Sequence, residues 1–176
     1  MNQYSIYKVS LLLLFLTVST CFADELKTHY ATIIYDQEEQ LSKFNKRISV
    51  KSLSDVTGST AVLTAGDEVR YKLDLLVEKI ERLLHVCPRD LKFDVRLLTS
   101  TAEVQQHYRI KYGINSDYIA FYSPQNKTVF ISVNDLNKYV LAHELTHVII
   151  GQYFMNPPSA IIQEILAHFV ETHIEF

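Results

Sequence analysis

The 176-residue chain is 48% hydrophobic and 21% charged, with only 4 Gly and 4 Pro, the composition of an ordered globular domain and not of a collagen-like, coiled-coil or disordered chain. Its 17 Lys and Arg nearly balance its 20 Asp and Glu, for a formal charge of −3, so charge offers no case for a nucleic acid or an anionic membrane as partner.

Lys8 precedes an uncharged apolar run from Val9 to Val18, followed by Cys21-Phe22-Ala23 and then Asp24. One basic residue, an apolar core of about ten residues and a small residue before the break are the pattern of a secretory signal peptide, whereas a spanning helix needs about 20 apolar residues. Residues 1–23 are therefore expected to be a signal, and the mature chain a single globular domain, 24–176, without a membrane span, secreted or periplasmic. Val18-Ser19-Thr20-Cys21 also loosely resembles a lipoprotein processing site, which would make Cys21 a lipid anchor; Thr20 fits it poorly. Once Cys21 has left with the signal, Cys87 has no internal disulfide partner. With Pro88 closing an apolar helical stretch, Cys87 is expected to be a buried small hydrophobe.

Residues 24–66 should form an N-terminal strand, short helix and loop. Thr28 to Tyr35 is β-branched and aromatic and reads as a strand. Leu41, Phe44 and Ile48 are spaced for a short helix, and Ser49 to Gly66, rich in Ser, Thr, Gly and Asp, reads as a long loop. From Asp67 to Val86 the residues Val69, Leu73, Leu76, Ile80, Leu83 and Leu84 recur at three- and four-residue spacing, predicting an amphipathic helix closed by Pro88. Leu91 to Leu98 reads as a strand, with Thr99 or Ser100 capping a helix that stops near Gly113. Tyr118 to Tyr122 and Thr128 to Val133 read as a hairpin, in which the sequon-like Asn126-Lys127-Thr128 is best taken as turn chemistry. Asp135 should open a helix carrying Val140, Leu141, Leu145, Val148 and Ile149 that ends before Pro157-Pro158. A last helix should start near Ser159. The order implies an α+β fold with the helices packed on a small mixed sheet.

The penultimate helix contains His143-Glu144-Leu145-Thr146-His147. Residues four apart share a helical face, so both imidazoles can bind one zinc ion, while Glu144 stands beside them free to take a proton from a water that the metal has made acidic. With 7 His in the chain, chance supplies about 0.02 such matches. A catalytic zinc takes three protein ligands and keeps a fourth position for water. Gly three and His six residues after His147 would complete a metzincin-like site, but Ile150 and Tyr153 stand there. A Glu on the next helix is the remaining source. Glu164 lies 17 residues beyond His147, past a double-proline turn that can lay the last helix against the first.

The segment His143 to Ile150, followed by Pro157-Pro158-Ser159-Ala160-Ile161-Ile162-Gln163-Glu164-Ile165-Leu166-Ala167-His168-Phe169-Val170-Glu171, resembles the gluzincin metallopeptidases, closest to the compact peptidase MA-like or minigluzincin type. The resemblance covers about the last 40 residues. It implies a zincin-like peptidase domain over 67–176, with one zinc ion per chain on His143, His147 and Glu164, Glu144 as general base and a peptide or protein as substrate. Ile165 stands where the family usually has Gly. His168 stands one turn past the third ligand, where an acidic residue commonly orients a zinc-binding histidine; it is open to three readings, as that hydrogen-bond partner, as an ordinary helix histidine, or as an alternative ligand. Glu171 shares the face of Glu164 and is the acidic candidate for the vacated role, an exposed terminal Glu being its plainer reading.

The resemblance further implies that the strand before the zinc helix, Thr128, Val129, Phe130 and Ile131 onward, is the sheet edge along which an extended peptide pairs. An ordinary packed strand is the competing reading. A donor for the charged tetrahedral intermediate is expected from upstream, where Tyr118, Tyr122 and Tyr153 are candidates, from His173 or from another chain, because 12 residues follow Glu164. The rival to a secreted zinc peptidase is a catalytically inactive zinc-binding protein of the same fold, with a structural or partner-binding role. Glu144 speaks for the enzyme, since a structural zinc needs no base.

Overall fold

The computed structural model describes residues 23–50 and 64–175. The expected signal segment, Cys21 and most of the expected loop from Ser49 to Gly66 lie outside the described residues. The remainder is α+β: five helices and one five-stranded mixed sheet among the described residues. No helix among them is long and apolar enough to cross a membrane.

The strands are β1 (Asp24–Lys27), β2 (Ala31–Tyr35), β3 (Phe93–Leu98), β4 (Ala120–Ser123) and β5 (Thr128–Ser132), in the order β1-β2-β3-β5-β4. β2, β3 and β5 run parallel, while β1 and β4 are antiparallel on the two edges. Thr28 does not continue a strand into Tyr35 as expected. Its Oγ1 accepts from the backbone N–H groups of Tyr30 and Ala31 and donates to Asp74, a local bonding pattern that competes with the ladder and turns the chain between β1 and β2.

The helices are α1 (Glu38–Arg47), α2 (Ala65–Leu84), α3 (Thr101–Tyr112), α4 (Lys138–Tyr153) and α5 (Ala160–His173). Their ends follow from local chemistry. Thr64 caps α2 by accepting from Asp67 N–H, and the Asp67 carboxylate accepts back from Thr64, a reciprocal box of the kind that fixes a helix start. Gly113 closes α3 in the left-handed region, with φ 74°, a conformation cheapest for glycine. α4 begins three residues later than Asp135. Asn137 Oδ1 accepts from the N–H groups of Tyr139 and Val140, while Asp135 binds the hydroxyls of Ser132 and Thr101 and so fastens α3 to the end of β5.

Strand alternation divides the packing. Ile33, Val95, Leu97, Val129 and Ile131 point to one face, where Phe44 and Ile48 at the α1 end, Leu73, Leu76 and Ile80 of α2, and Leu141, Leu145 and Ile149 of α4 bury them in the main core. On the opposite face α3 covers a smaller cluster of Leu98, Val104 and Phe121, with Tyr108, Tyr112 and Phe130 against it. Cys87 is exposed and free, contrary to the expectation of burial: α2 ends at Leu84 with His85 left-handed, and the chain has left the apolar face before it reaches the thiol.

The strand Thr128–Ser132 is not the sheet edge either. It lies between β3 and β4, with Val129 and Ile131 fully buried. The hairpin's first strand, β4, takes the edge, because β5 is committed to parallel pairing with β3 from Asp94↔Thr128 to Leu98↔Ser132.

Candidate metal centre

α4 carries His143 and His147 one turn apart, and the turn through Pro157-Pro158 reverses the chain so that α5 lays Glu164 across them. Ala167 and Val170 on α5 are buried, and Val170 joins Leu141 and Leu145 in the main core, so the register of the two helices is set by packing and not by the polar groups. His143 Nε2 lies 3.3 Å from His147 Nε2, Glu164 Oε2 lies 3.4 Å from His143 Nε2, and Glu164 Oε1 lies 3.4 Å from His147 Nε2.

These separations can be compared with what a metal requires. Bonds of about 2.0–2.1 Å at the tetrahedral angle put neighbouring ligand atoms about 3.3–3.4 Å apart. Two imidazole nitrogens and a split carboxylate at that mutual spacing fit zinc, and they are the group of potential ligand atoms found within 4.8 Å of one another among the described residues. Burial lowers the proton affinity of the His147 imidazole, against the pull of Glu164, a shift in the direction of the neutral form that a metal ligand needs.

The groups behind the histidines are where sequence reading was weakest. Glu171 Oε2 lies 3.4 Å from His143 Nδ1, on the ring edge opposite the ligand nitrogen, where a carboxylate fixes tautomer and ring orientation. His168 is not part of the cluster formed by His143, His147 and Glu164. Its side chain is 74% exposed and its Nδ1 stands 3.6 Å from Glu171, so the reading of it as a ligand fails and its contact with the centre runs through Glu171. For His147 the partner is Gln163, which sequence reading missed. Its Nε2 donates to the Pro158 carbonyl at 2.8 Å, leaving its Oε1 to accept from the His147 ring, to which the side chain is hydrogen-bonded. Only its place immediately before Glu164 could have signalled it.

Glu144 is 9% exposed, turned from α4 toward β4. Burial pushes its carboxyl up to about 8, and the negative charge of Glu164 adds to the shift, while a hydrogen bond from the Tyr122 backbone N–H works against it. That N–H is available because of the β4–β5 register. Ser132 N–H donates to Ile119 O at 3.0 Å, so the bonded pairs of the ladder are those of Ile119, Phe121 and Ser123, and the backbone groups of Ala120 and Tyr122 point to the open side. The cleft there has a volume of about 370 Å3, and Tyr122, His143, Glu144, His147, Gln163 and Glu164 form its metal end.

Of the tyrosines considered as donors, Tyr118 and Tyr122 line this cleft. Tyr153 stacks edge-on against Phe154 and His173 packs on Phe169, and neither lines it. Burial pushes the Tyr122 phenol up to about 12, which keeps it a proton donor at any working pH. Its ring lies against α4 one turn beyond His147, where a Cβ on Gly151 would stand 3.6 Å from Tyr122 Cε1.

Comparison with family models, with curated proteins and with solved structures finds no match for this chain.

Proposed function

We propose that this chain is a zinc-dependent metallopeptidase of gluzincin type, exported by its N-terminal signal and acting on extended peptides. The observation that carries the reading is the triangle of 3.3, 3.4 and 3.4 Å among His143, His147 and Glu164 beside a buried carboxyl, Glu144, that does not itself join the triangle. A zinc ion held there would supply Lewis acidity, polarising the scissile carbonyl and making water acidic enough to attack at neutral pH.

The chain's own residues do the rest. Glu144 takes the proton of the attacking water as its oxygen bonds to the carbonyl carbon, then hands that proton to the amide nitrogen as the C–N bond breaks. A buried carboxyl with a high proton affinity suits both halves of the transfer, and the Tyr122 N–H holds it in place. Ala120, with its N–H and C=O directed to the open side of β4, offers main-chain pairing to the substrate. Glu171 and Gln163 orient the two histidines.

Metal content and turnover, measured side by side on wild type, Glu164→Ala and Glu144→Gln, test the reading. The expected result is near one zinc per chain in wild type and Glu144→Gln, reduced zinc in Glu164→Ala, and cleavage of a mixed peptide library by wild type alone. Zinc without cleavage in wild type would leave a zinc-binding protein; absence of zinc would refute the centre.

A further inference from the structure

The cleft does not stop at the metal end. It wraps around the β4 edge to the opposite face of the sheet, where Tyr108, Tyr112 and Tyr118 line it together with Phe121. Tyr108 is the hub of this group. Its ring centroid lies 4.7 Å from Tyr112, 5.0 Å from Tyr118 and 5.1 Å from Phe121, and the Phe121 ring stacks in turn on Phe130 at 4.8 Å. The set is held by both neighbouring elements, because the Tyr112 hydroxyl donates to Gln125 Oε1 in the hairpin turn while Tyr108 packs from α3. Tyr118 closes the outer rim, with 51% of its surface exposed. The ionisable acids and bases along the whole cleft, tyrosines aside, are those of the metal end.

Strand geometry says what meets these rings. A peptide paired to the open side of β4 projects successive side chains to alternate faces, and a residue directly opposite a β4 residue shares its face in either strand direction. Residues opposite Ala120 and Tyr122 therefore face the metal helix, whereas the residue opposite Phe121 is sent to the back of the sheet, onto the tyrosines. We propose that Tyr108, Tyr112 and Tyr118 form a specificity subsite that receives an aromatic side chain from the substrate residue opposite Phe121. The subsite rests on the peptidase reading for its setting. Tilted and edge-on rings extend naturally to one more ring, while a charged side chain would lose its water there without gaining a partner.

The test uses the full chain carrying Glu144→Gln, loaded with zinc, and alanine-based decapeptides containing either one phenylalanine or none, with affinity read by calorimetry. The phenylalanine peptide binds about tenfold more tightly. Tyr108→Ala and, as the variant that disturbs the fold least, Tyr118→Ala each cut that ratio to about threefold or less. In the chain with Glu144 intact, cleavage sites mapped by mass spectrometry fall at a constant offset from the phenylalanine. Equal affinities, a ratio unchanged in both variants, or failure of every peptide to bind overturns the subsite. Zinc content of the same samples separates the two ideas: a chain without zinc that still prefers the phenylalanine peptide refutes the metal centre and keeps the subsite, and a zinc-loaded chain that cleaves without preference refutes the subsite alone.

Discussion

Burying Glu144 costs the metal-free protein stability, and replacing it recovers that cost in a pH-dependent way. An ordinary Glu loses its proton near 4.5, whereas the folded chain holds this one until about 8. Between those values the unfolded state has released the proton and the folded state has not, so stability falls as pH rises, by about 1.4 kcal/mol per unit and on the order of 5 kcal/mol in all. A glutamine at the same place has no proton to lose and can still accept the Tyr122 N–H. In chelator-treated protein, urea unfolding at pH 5, 6, 7 and 8 should therefore show the advantage of Glu144→Gln over wild type widening by roughly 1 kcal/mol at each step and levelling off above pH 8. The histidine titrations are common to both proteins and drop out of the difference. Curves that stay parallel from pH 5 to 8 would mean that Glu144 is solvated or paired, and the argument for a desolvated base would go with them. Added zinc should narrow the gap, since both proteins bind it but only wild type has a carboxyl whose charged form the neighbouring cation favours, which lowers its proton affinity in the folded state.

Glu171→Gln keeps the size of the side chain but removes the charge behind His143, and zinc affinity, measured by competition with a chromogenic chelator, should fall about 10–100-fold. Gln163→Ala should weaken zinc by about tenfold on the same assay, while His168→Ala, which removes an exposed ring in contact with Glu171 alone, should shift it by less than about threefold. Gly151→Ala removes a helix-interior glycine, and its new Cβ would meet Tyr122 Cε1 at an ordinary 3.6 Å; thermal melts should show a gain of about 0.5–1 kcal/mol with zinc binding intact. Destabilisation there would place the Tyr122 ring closer to α4 than described.

The grouping of the three candidate ligands was legible because helical spacing converts directly into geometry. Two residues four apart share a face whatever surrounds them, and two consecutive prolines force a reversal, so His143, His147 and Glu164 could be brought together from their positions alone. Glu171 needed more, since its distance from His143 depends on how Ala167 and Val170 seat α5 on the core. Gln163 shows the same limit more plainly: nothing in its neighbours reveals that the Pro158 carbonyl will hold the amide nitrogen and turn the oxygen to His147. Ends of elements failed for a related reason. Asp135 has the side chain of a helix cap, but its partners Ser132 and Thr101 are brought to it by the sheet and by α3, and the cap passes to Asn137. Cys87 sits in an apolar sequence context, yet the left-handed His85 ends the helical periodicity that its expected burial assumed.

The misplaced sheet edge follows from connectivity, and it explains where the centre sits. β3 and β5 are parallel, so the chain between them must cross over, and α3 makes that crossing on the back of the sheet. The crossing returns through β4 before β5. Because β5 takes the position beside β3, its hairpin partner has no place left except the outside, where one side of its ladder stays unpaired. A four-residue edge strand is short enough to limit the aggregation hazard of open backbone groups. α4 then starts from the β5 end and packs on the hairpin's core face, which carries Glu144 to the open row of β4, where the Tyr122 N–H meets it. The buried base, the free Ala120 groups and the tyrosines on the far face thus border one edge, as consequences of a single crossover and a single hairpin. Lengthening the Pro124–Lys127 turn should leave zinc on α4 and α5 while reducing peptide cleavage, because the turn positions β4 and takes no part in seating α5.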